Sequence, residues 1–460
     1  MEKGMLTKGI SVEEVVTRMG FGRYQVRLFA VLGLIMLADG LDAILTPILA
    51  ELLQHRWDLS DQQAAMLGGV RYLGMIFSSL CLGGLGDWAG RRKTLRYSLV
   101  LLTFAAGTSV FMPEFWSFLA VRTLVGLLLG CCKPVVSCLS VELSPVPVRA
   151  AATIGLFVFY NLGSLGAVGL AFALTPDFDP EYFRELLACQ TVVIVGAAIA
   201  GLLWLEESPS FLWVKNQPQA AVSVLNHIAI MNREPVMTTE EAEALASVAA
   251  QSSKRRPSLS RLVERSYLGR VVAGSLLWWV GSFTFYGFLF ILPRRNVLQD
   301  SSRSEMLNMA IDVSMLLPGV FVAMPMVETR WLGQVRTMLL FSLGMVGSSI
   351  ACVWVSQPWS AVMSSAFIFS SNVFGLVLYP YTSELFDASL RNTGFSFCSF
   401  WSRVGGVISP LILVAVSDDW AYYSFAAHGL AACLLLLVIQ VGIPPEEPQF
   451  SKPEREGLAS

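Results

Sequence analysis

The stretch GGLGDWAGRRKTLR, residues 83–96, sets Asp87, Arg91, Arg92, Lys93 and Arg96 between two long apolar runs. Charges so placed hold a short turn at a membrane surface, because neither sign slides cheaply into hydrocarbon. The rest of the chain supports that reading. Of 460 residues, 54% are hydrophobic and only 14% charged, more apolar side chain than a soluble core of this size needs. Runs of about 20 apolar residues span a bilayer as helix. Twelve such runs begin near Arg27, Gln63, Thr94, Trp116, Pro147, Phe183, Leu268, Glu305, Trp331, Trp359, Leu390 and Ala421. The first residues, MEKGMLTKGISVEEVV, are polar and lack the apolar core and small-residue cleavage site of a signal peptide, so the first span is expected to direct insertion.

Net charge is −2 and says nothing about partners, but the positions of Lys and Arg report sidedness. Placing both termini in the cytoplasm puts most of the 32 basic residues inside and leaves Arg56, Arg184, Arg294, Arg295 and Arg303 in external loops. The expected organisation is a cytoplasmic N-terminus (1–26), a six-helix bundle (27–205), a cytoplasmic linker (206–267), a second six-helix bundle (268–443) and a cytoplasmic tail (444–460). The linker is the one long polar segment, carrying KRR at 254–256 and the helix-prone TTEEAEALASVAAQ. All eight cysteines fall in or beside apolar runs without a CxxC pair, which argues against structural disulfides and a metal site. No Walker loop, HExxH, nucleophile elbow or dinucleotide fingerprint occurs, so the chain carries no residues for ATP hydrolysis or catalysis: no enzyme and no cofactor are expected.

Six spans on either side of the linker invite a search for self-similarity. VELSPVPVRAAATIG contains Glu142 and Arg149, and SELFDASLRNTGF contains Glu384 and Arg391, each pair seven apart. Glu142 and Glu384 are offset by 242 positions; GRRKTL from Gly90 and GQVRTM from Gly333 are offset by 243. Two matches at nearly one offset point to a duplicated unit. The expected fold is an all-α membrane protein, twelve transmembrane helices in two pseudo-symmetric six-helix bundles around a midplane cavity.

GDWAGRRK resembles the signature between helices 2 and 3 of the major facilitator superfamily. RTLVGLLLG (Arg122, Gly126, Gly130) resembles its helix 4 pattern, and both Glu-to-Arg segments recur where the family places them. EESPSFLWVKNQPQAA resembles the linker of sugar porters and organic-ion transporters. FWSRVGGVISP resembles helix 11 of the organic-anion and synaptic-vesicle-protein branches, and D-G-x-D at 39–42 with WDLSDQQ resembles aromatic-acid:proton symporters. The resemblance covers nearly the whole chain and implies a conformational switch at Asp87, Gly90, Arg91, Arg92, Arg122, Glu142, Arg149, Glu384 and Arg391. In the second copy Glu328 precedes Gly333 by five residues where Asp87 precedes Gly90 by three, so a weaker latch is expected there. Helix 5, NLGSLGAVGLAF, lacks the Gly-Pro pattern of drug exporters; its Gly163, Gly166 and Gly169 are expected to permit close helix packing.

Charges within spans cost about 3 kcal/mol on insertion scales and usually face a cavity or a partner. Six stand out: Asp39, Asp42, Arg71, Lys133, Asp312 and Arg403. Mutual compensation inside the bundle is one reading; a site is the other. Asp39 and Asp42 are three apart on one helix face and cannot both ionise cheaply when poorly solvated, so proton coupling is expected of them and of Asp312. Arg403, Lys133 and Arg71, with Tyr379 and Asn161, are the candidate substrate contacts, since arginine clamps a carboxylate with paired hydrogen bonds. Lys133 follows Arg122 by three helical turns, about 16 Å deeper on the same face. Aromatic residues on helix 7 (Trp278, Trp279, Phe283, Phe285, Tyr286) and helix 10 (Phe374, Tyr379, Tyr381) either stack on a ring-bearing substrate or pack. His428 is read either as a proton relay or as a structural residue, and Asn161, Asn308 and Asn372 are similarly open between a site role and a structural one.

The expected function is secondary active transport of a small organic anion, a carboxylate or aromatic acid, by alternating access with proton symport. The alternatives are a sugar or organic-cation facilitator or exchanger, and a non-transporting membrane receptor whose output is the linker. The expected partners are a small-molecule substrate, a proton and the lipid bilayer, with no nucleic acid; a monomer suffices to form the cavity. The plasma membrane is expected over an organelle.

Overall fold

The computed structural model describes residues 12–442 apart from 80–84, 176–178, 216, 239–240, 242–263, 298–309, 330, 357–358 and 387–390. The described residues are helical and contain no strand. Before the linker run α1 (Arg23–Arg56), α2 (Asp61–Phe77), α3 (Arg91–Val110), α4 (Phe115–Glu142), α5 (Arg149–Leu174) and α6 (Phe183–Trp204). After it run α7 (Arg265–Val297), α8 (Leu316–Glu328), α9 (Gly333–Trp354), α10 (Trp359–Glu384), α11 (Arg391–Leu413) and α12 (Asp418–Gly442). Each starts within a few residues of an apolar run except α8, whose predicted start near Glu305 lies outside the described residues. Among the described residues ten helices are long and apolar enough to cross a membrane. The other two are α2, short and interrupted by Arg71, and α3, which opens on Arg-Arg-Lys.

Packing repeats as the sequence does. In the first half α1 packs on α5 and α6, α4 on α2 and α3, and α3 on α6; in the second half α7 packs on α11 and α12, α10 on α8 and α9, and α9 on α12. The halves meet where α2 packs on α11 and α8 on α5, a pair of contacts that the repeat also exchanges. Gly90 and Gly333, the matched residues that precede and open α3 and α9, both sit at positive φ, +103° and +60°. Only glycine adopts that conformation without strain, which explains why the repeat keeps it.

The polar turns are built from local chemistry. Ser60 Oγ accepts from Gln63 N while Gln63 Oε1 accepts from Ser60 N, a reciprocal cap that starts α2 within WDLSDQQ. Arg96 donates to the carbonyls of Gly201, Leu202 and Leu205, closing the C-terminal end of α6 where a cation suits the helix dipole. The linker docks on the first bundle through the helix Pro218–Asn232: Asn232 accepts from Tyr24 N at 3.0 Å and donates to Met19 O at 3.1 Å, and Glu206 pairs with Arg27 and His227. A short N-terminal helix, Val12–Arg18, buries Val15 and Val16 and joins Arg18 to Glu241 at 2.5 Å. Glu241 is drawn down to about 2 by the hydrogen bond from Arg18.

Candidate functional site

Asp39 and Asp42 lie on the same face of α1, fully enclosed by the first bundle. Arg71 of α2 reaches both carboxylates, bonding Asp39 and standing 3.0 Å from Asp42 Oδ2 through Nε. Arg122 of α4 donates to Asp42 Oδ1 at 2.6 Å, to Thr46 Oγ1 at 2.9 Å and to Gln190 Oε1 at 3.2 Å; Gln190 of α6 in turn donates to Asp42 Oδ1 at 2.5 Å. Lys133, further along α4, stands 3.1 Å from Asp39 Oδ2 and 5.0 Å from the Tyr160 ring centroid. Buried charges persist only when paired. Here two carboxylates share three cations, so the buried cluster carries one surplus positive charge.

A narrow cavity of about 30 Å³, room for one or two waters, lies between the bundles. Lys133, Tyr72, Met75, Pro134 and Ser137 line it from the first half, and Trp278, Tyr286, Tyr379, Phe395, Ser399, Ser402 and Arg403 from the second. Arg403 Nη1 donates to the Ser399 carbonyl at 2.7 Å and to Ser399 Oγ at 3.1 Å, and its Nε has no hydrogen-bond partner among the described residues. The aromatic walls are held in place: Trp278 Nε1 donates to Thr382 Oγ1 at 2.9 Å and its ring meets Tyr379 edge-on at 4.8 Å, while Tyr72 and Tyr286 touch across the two halves at 4.3 Å. A second hollow shares Pro134, Ser399 and Arg403 with the first and continues past Ser78, Ser79, Gly86 and Ser396 toward the linker end of the bundles.

The site residues read from sequence are thus only partly assembled. Lys133, Tyr379 and Arg403 line the cavity. Arg71 points instead to the aspartates, so the acidic pair is bridged by a guanidinium rather than left to share one charge. Arg122, expected at the switch, belongs to the Asp42 cluster, because its face of α4 turns into the first bundle. Asn161 does not line the cavity: it donates to the Leu316 carbonyl at 2.7 Å, as does Asn372 from α10. Asp312 stands on Ser365 at 2.5 Å, away from the cavity lining. Of the helix 7 and 10 aromatics, Trp278, Tyr286 and Tyr379 face the cavity, whereas Trp279 stacks on Phe283 and Phe283 on His428. Gly163 does bring α5 against the Leu37 carbonyl, but Gly166 and Gly169 have no neighbour within 4 Å of a would-be Cβ and do not serve packing. Asn308 and the side chains of Asp87, Glu384 and Arg391 lie outside the described residues.

At the linker end, Arg91 pairs with Glu142 at 3.3 Å and donates to the Gly86 carbonyl, and Arg149 pairs with Glu13 at 3.4 Å. The Glu207 carboxylate accepts from the backbone N–H groups of Arg91 at 2.8 Å and Arg92 at 3.2 Å, an anion seated on the N-terminus of α3. Gly90 permits that approach, since a Cβ there would meet Glu207. Glu328, the second-copy counterpart of Asp87, is exposed.

Sequence reasoning did not single out Gln190, Thr46, Tyr72, Phe395 or Ser399. Gln190 had a signal, as the lone amide in the apolar run of α6, and Ser399 another, one turn before Arg403.

The sugar (and other) transporter family matches residues 40–446, and the chain belongs to it. It is a multi-pass transporter of the major facilitator superfamily, not an enzyme. The niacin transporter NiaP of Acinetobacter baylyi is 26% identical over 96% of this chain and 99% of its own length. The synaptic vesicle 2-related protein of Rattus norvegicus is 25% identical over 95% of this chain and 81% of its own length, and the organic cation/carnitine transporter 7 of Arabidopsis thaliana 24% over 94% and 92%. Among solved structures, the proton:xylose symporter XylE superposes with a TM-score of 0.74 at 16% identity, covering 92% of this chain and 96% of that one, which supports the fold.

Proposed function

We propose that this secondary transporter carries a small organic anion, a carboxylate on a flat ring, together with a proton, by alternating access. The carrying observation is Arg403: a buried guanidinium, hydrogen-bonded only to its own helix among the described residues, facing Lys133 across an aromatic-walled cavity. A carboxylate between them would satisfy both cations, and the ring would lie against Trp278 and Tyr379. The niacin transporters among the relatives support an aromatic acid. The cavity is too small for such a ligand as it stands, so binding requires the halves to part, with the linker-end hollow as the way in. Asp39 and Asp42 are the proton-carrying candidates, and Asp312 is a further one on the second half. The linker-end pairs of Arg91, Glu142 and Arg149, with Asp87, Arg92, Glu384 and Arg391, form the switch that releases as access alternates. The Lys and Arg distribution supports cytoplasmic termini, and the plasma membrane is the proposed location.

The test is uptake into proteoliposomes under an imposed pH gradient, inside alkaline, with labelled nicotinate, benzoate, choline and xylose. Nicotinate or benzoate should accumulate above equilibrium and collapse with the gradient, while choline and xylose should not. Arg403→Ala should abolish anion uptake; retained transport at unchanged apparent affinity would remove Arg403 from the site, and xylose or choline accumulation would replace the anion reading.

A further inference from the structure

Three serines line the cavity, and their hydroxyl protons have different fates. Ser137 Oγ donates to the Lys133 carbonyl at 3.1 Å and Ser399 Oγ to the Ser396 carbonyl at 3.1 Å, so both protons are committed to their own helices. Ser402 is arranged the other way. The buried Ser282 Oγ of α7 donates to Ser402 Oγ at 2.5 Å, and the Ser402 proton meets no acceptor among the described residues. A hydroxyl carries one proton and two lone pairs. With its oxygen already accepting from Ser282, Ser402 is left as a donor on the cavity wall. The pair forms because Gly405, one turn on from Ser402, lets α11 close on α7: a Cβ there would meet the Trp279 carbonyl at 3.2 Å and Ser282 Cβ at 3.6 Å.

Resting on the anion reading above, we propose that Ser402 is a specificity residue whose hydroxyl donates to a hydrogen-bond acceptor in the ring of the bound acid, so that heteroaromatic carboxylates are preferred to their carbocyclic counterparts. The wall around it fits that task. Arg403, the next residue on α11, takes the carboxylate, and Trp278 and Tyr379 set the plane of the ring. What remains free is rotation of the ring within that plane, and a donor at its edge removes it. These groups and Ser282 all belong to the second half, so their mutual arrangement persists when the halves part to admit a ligand, whereas Lys133 is carried by the first half. No carboxylate lines the cavity among the described residues, so a ring with a proton on its heteroatom finds no charge partner there. A carbocyclic acid fills the same slot but leaves the Ser402 proton enclosed without an acceptor. A site built to donate rejects the analogue that lacks the acceptor for that reason. Ser282 acts through Ser402 and is a positioning residue.

The test is calorimetric titration of the purified full chain in detergent with benzoate, picolinate, nicotinate and isonicotinate, at slightly alkaline pH where a pyridine nitrogen carries no proton. In the wild type the isomer whose nitrogen faces Ser402 should bind about tenfold more tightly than benzoate. Ser402→Ala should bring that isomer level with benzoate while leaving the benzoate affinity within about twofold. Ser282→Ala should narrow the preference, because Ser402 then turns without a fixed direction. A merely structural Ser402 would instead shift all four affinities together. Benzoate bound as tightly as every pyridine isomer, or a preference that survives in a folded Ser402→Ala protein, overturns the assignment of Ser402 while leaving the anion reading intact. A wild type that binds none of the four overturns both. Should Ser402→Ala fail to fold, the double variant Ser282→Ala with Ser402→Ala, which strands no hydroxyl, takes its place.

Discussion

The two halves follow one helix plan and differ in what fills their seams. In the first half, glycines put backbone against backbone: a Cβ at Gly40 would meet the Tyr160 carbonyl, at Gly163 that of Leu37, at Gly74 that of Thr123, and at Gly126 that of Arg71. In the second half most such glycines face side chains, Gly274 Cys398 Sγ, Gly281 the Phe374 ring, Gly319 Asn372 and Gly344 Ser370, and the backbone approaches are looser, a Cβ at Gly405 meeting the Trp279 carbonyl at 3.2 Å. The buried charge cluster divides the same way. Asp39, Asp42, Arg71, Arg122 and Lys133 all belong to the first half, whereas the second lines the cavity with Trp278, Tyr286, Tyr379, Phe395 and Arg403. A charge network tolerates little misplacement, and helices in backbone contact hold it in register; aromatic walls repack more freely. Duplication has thus been followed by a division of labour, a stiff half for charge and an adaptable half for the ring of the proposed substrate.

The largest expected effect breaks the stiff half outright. Arg122→Ala leaves Asp42 with a buried, under-compensated charge and should destabilise the folded protein by about 4 kcal/mol, read as a loss of thermal stability in detergent. Arg122→Ala with Asp42→Asn should recover much of it; no recovery would mean that the pair is not the unit. The glycine contrast comes next. Gly126→Ala forces α4 off the Arg71 carbonyl and should cost about 3 kcal/mol, whereas Gly281→Ala asks only the Phe374 ring to shift and should cost about 1 kcal/mol. Equal losses in parallel melts would erase the distinction between the seams.

A smaller effect sharpens the second half. Trp278→Phe removes the hydrogen bond to Thr382 and leaves the ring free to tilt, about 1 kcal/mol, seen as a several-fold rise in the apparent KM for nicotinate with stability nearly unchanged. The smallest lies on the surface. Arg18→Ala should cost under about 1 kcal/mol, since its pair with Glu241 is solvent-exposed. Because Glu241 is drawn down to about 2 from an ordinary 4.5, the pair's contribution is complete above pH 4.5 and fades as pH falls through 2. Native-state proteolysis of the N-terminal segment across that range checks it, and a pH-independent pattern would show that Val15 and Val16 alone hold the segment.

Span positions were legible because hydrocarbon imposes one length and one polarity on every crossing, and the starts of α1, α6, α10 and α12 follow from that alone. The duplication was legible through two short charged segments whose offset the paired glycines at 90 and 333 repeat in their backbone conformation. Pairing was not. Asp42 and Arg122 lie 80 positions apart, and Asp42 and Gln190 lie 148 apart; no periodicity encodes which buried charge meets which. The composition of the cluster was readable, its wiring was not, and so Arg71 and Arg122 were matched to substrate and switch instead of to the aspartates. Gly166 and Gly169 failed for a related reason: small residues at helical spacing announce a possible seam, and only the position of the neighbour decides whether one is there.

The Leu316 carbonyl accepts from Asn372 within its own half and from Asn161 across the divide, both at 2.7 Å. An oxygen with two lone pairs can give up one donor and keep the other. Were the halves to part at that point, as the proposed alternating access requires, the carbonyl would keep the Asn372 donor and the separation would forfeit a single amide contact, about 1 kcal/mol. The joint is fastened on one side and merely buttoned on the other, so the proposed cycle would undo it without fraying the second half.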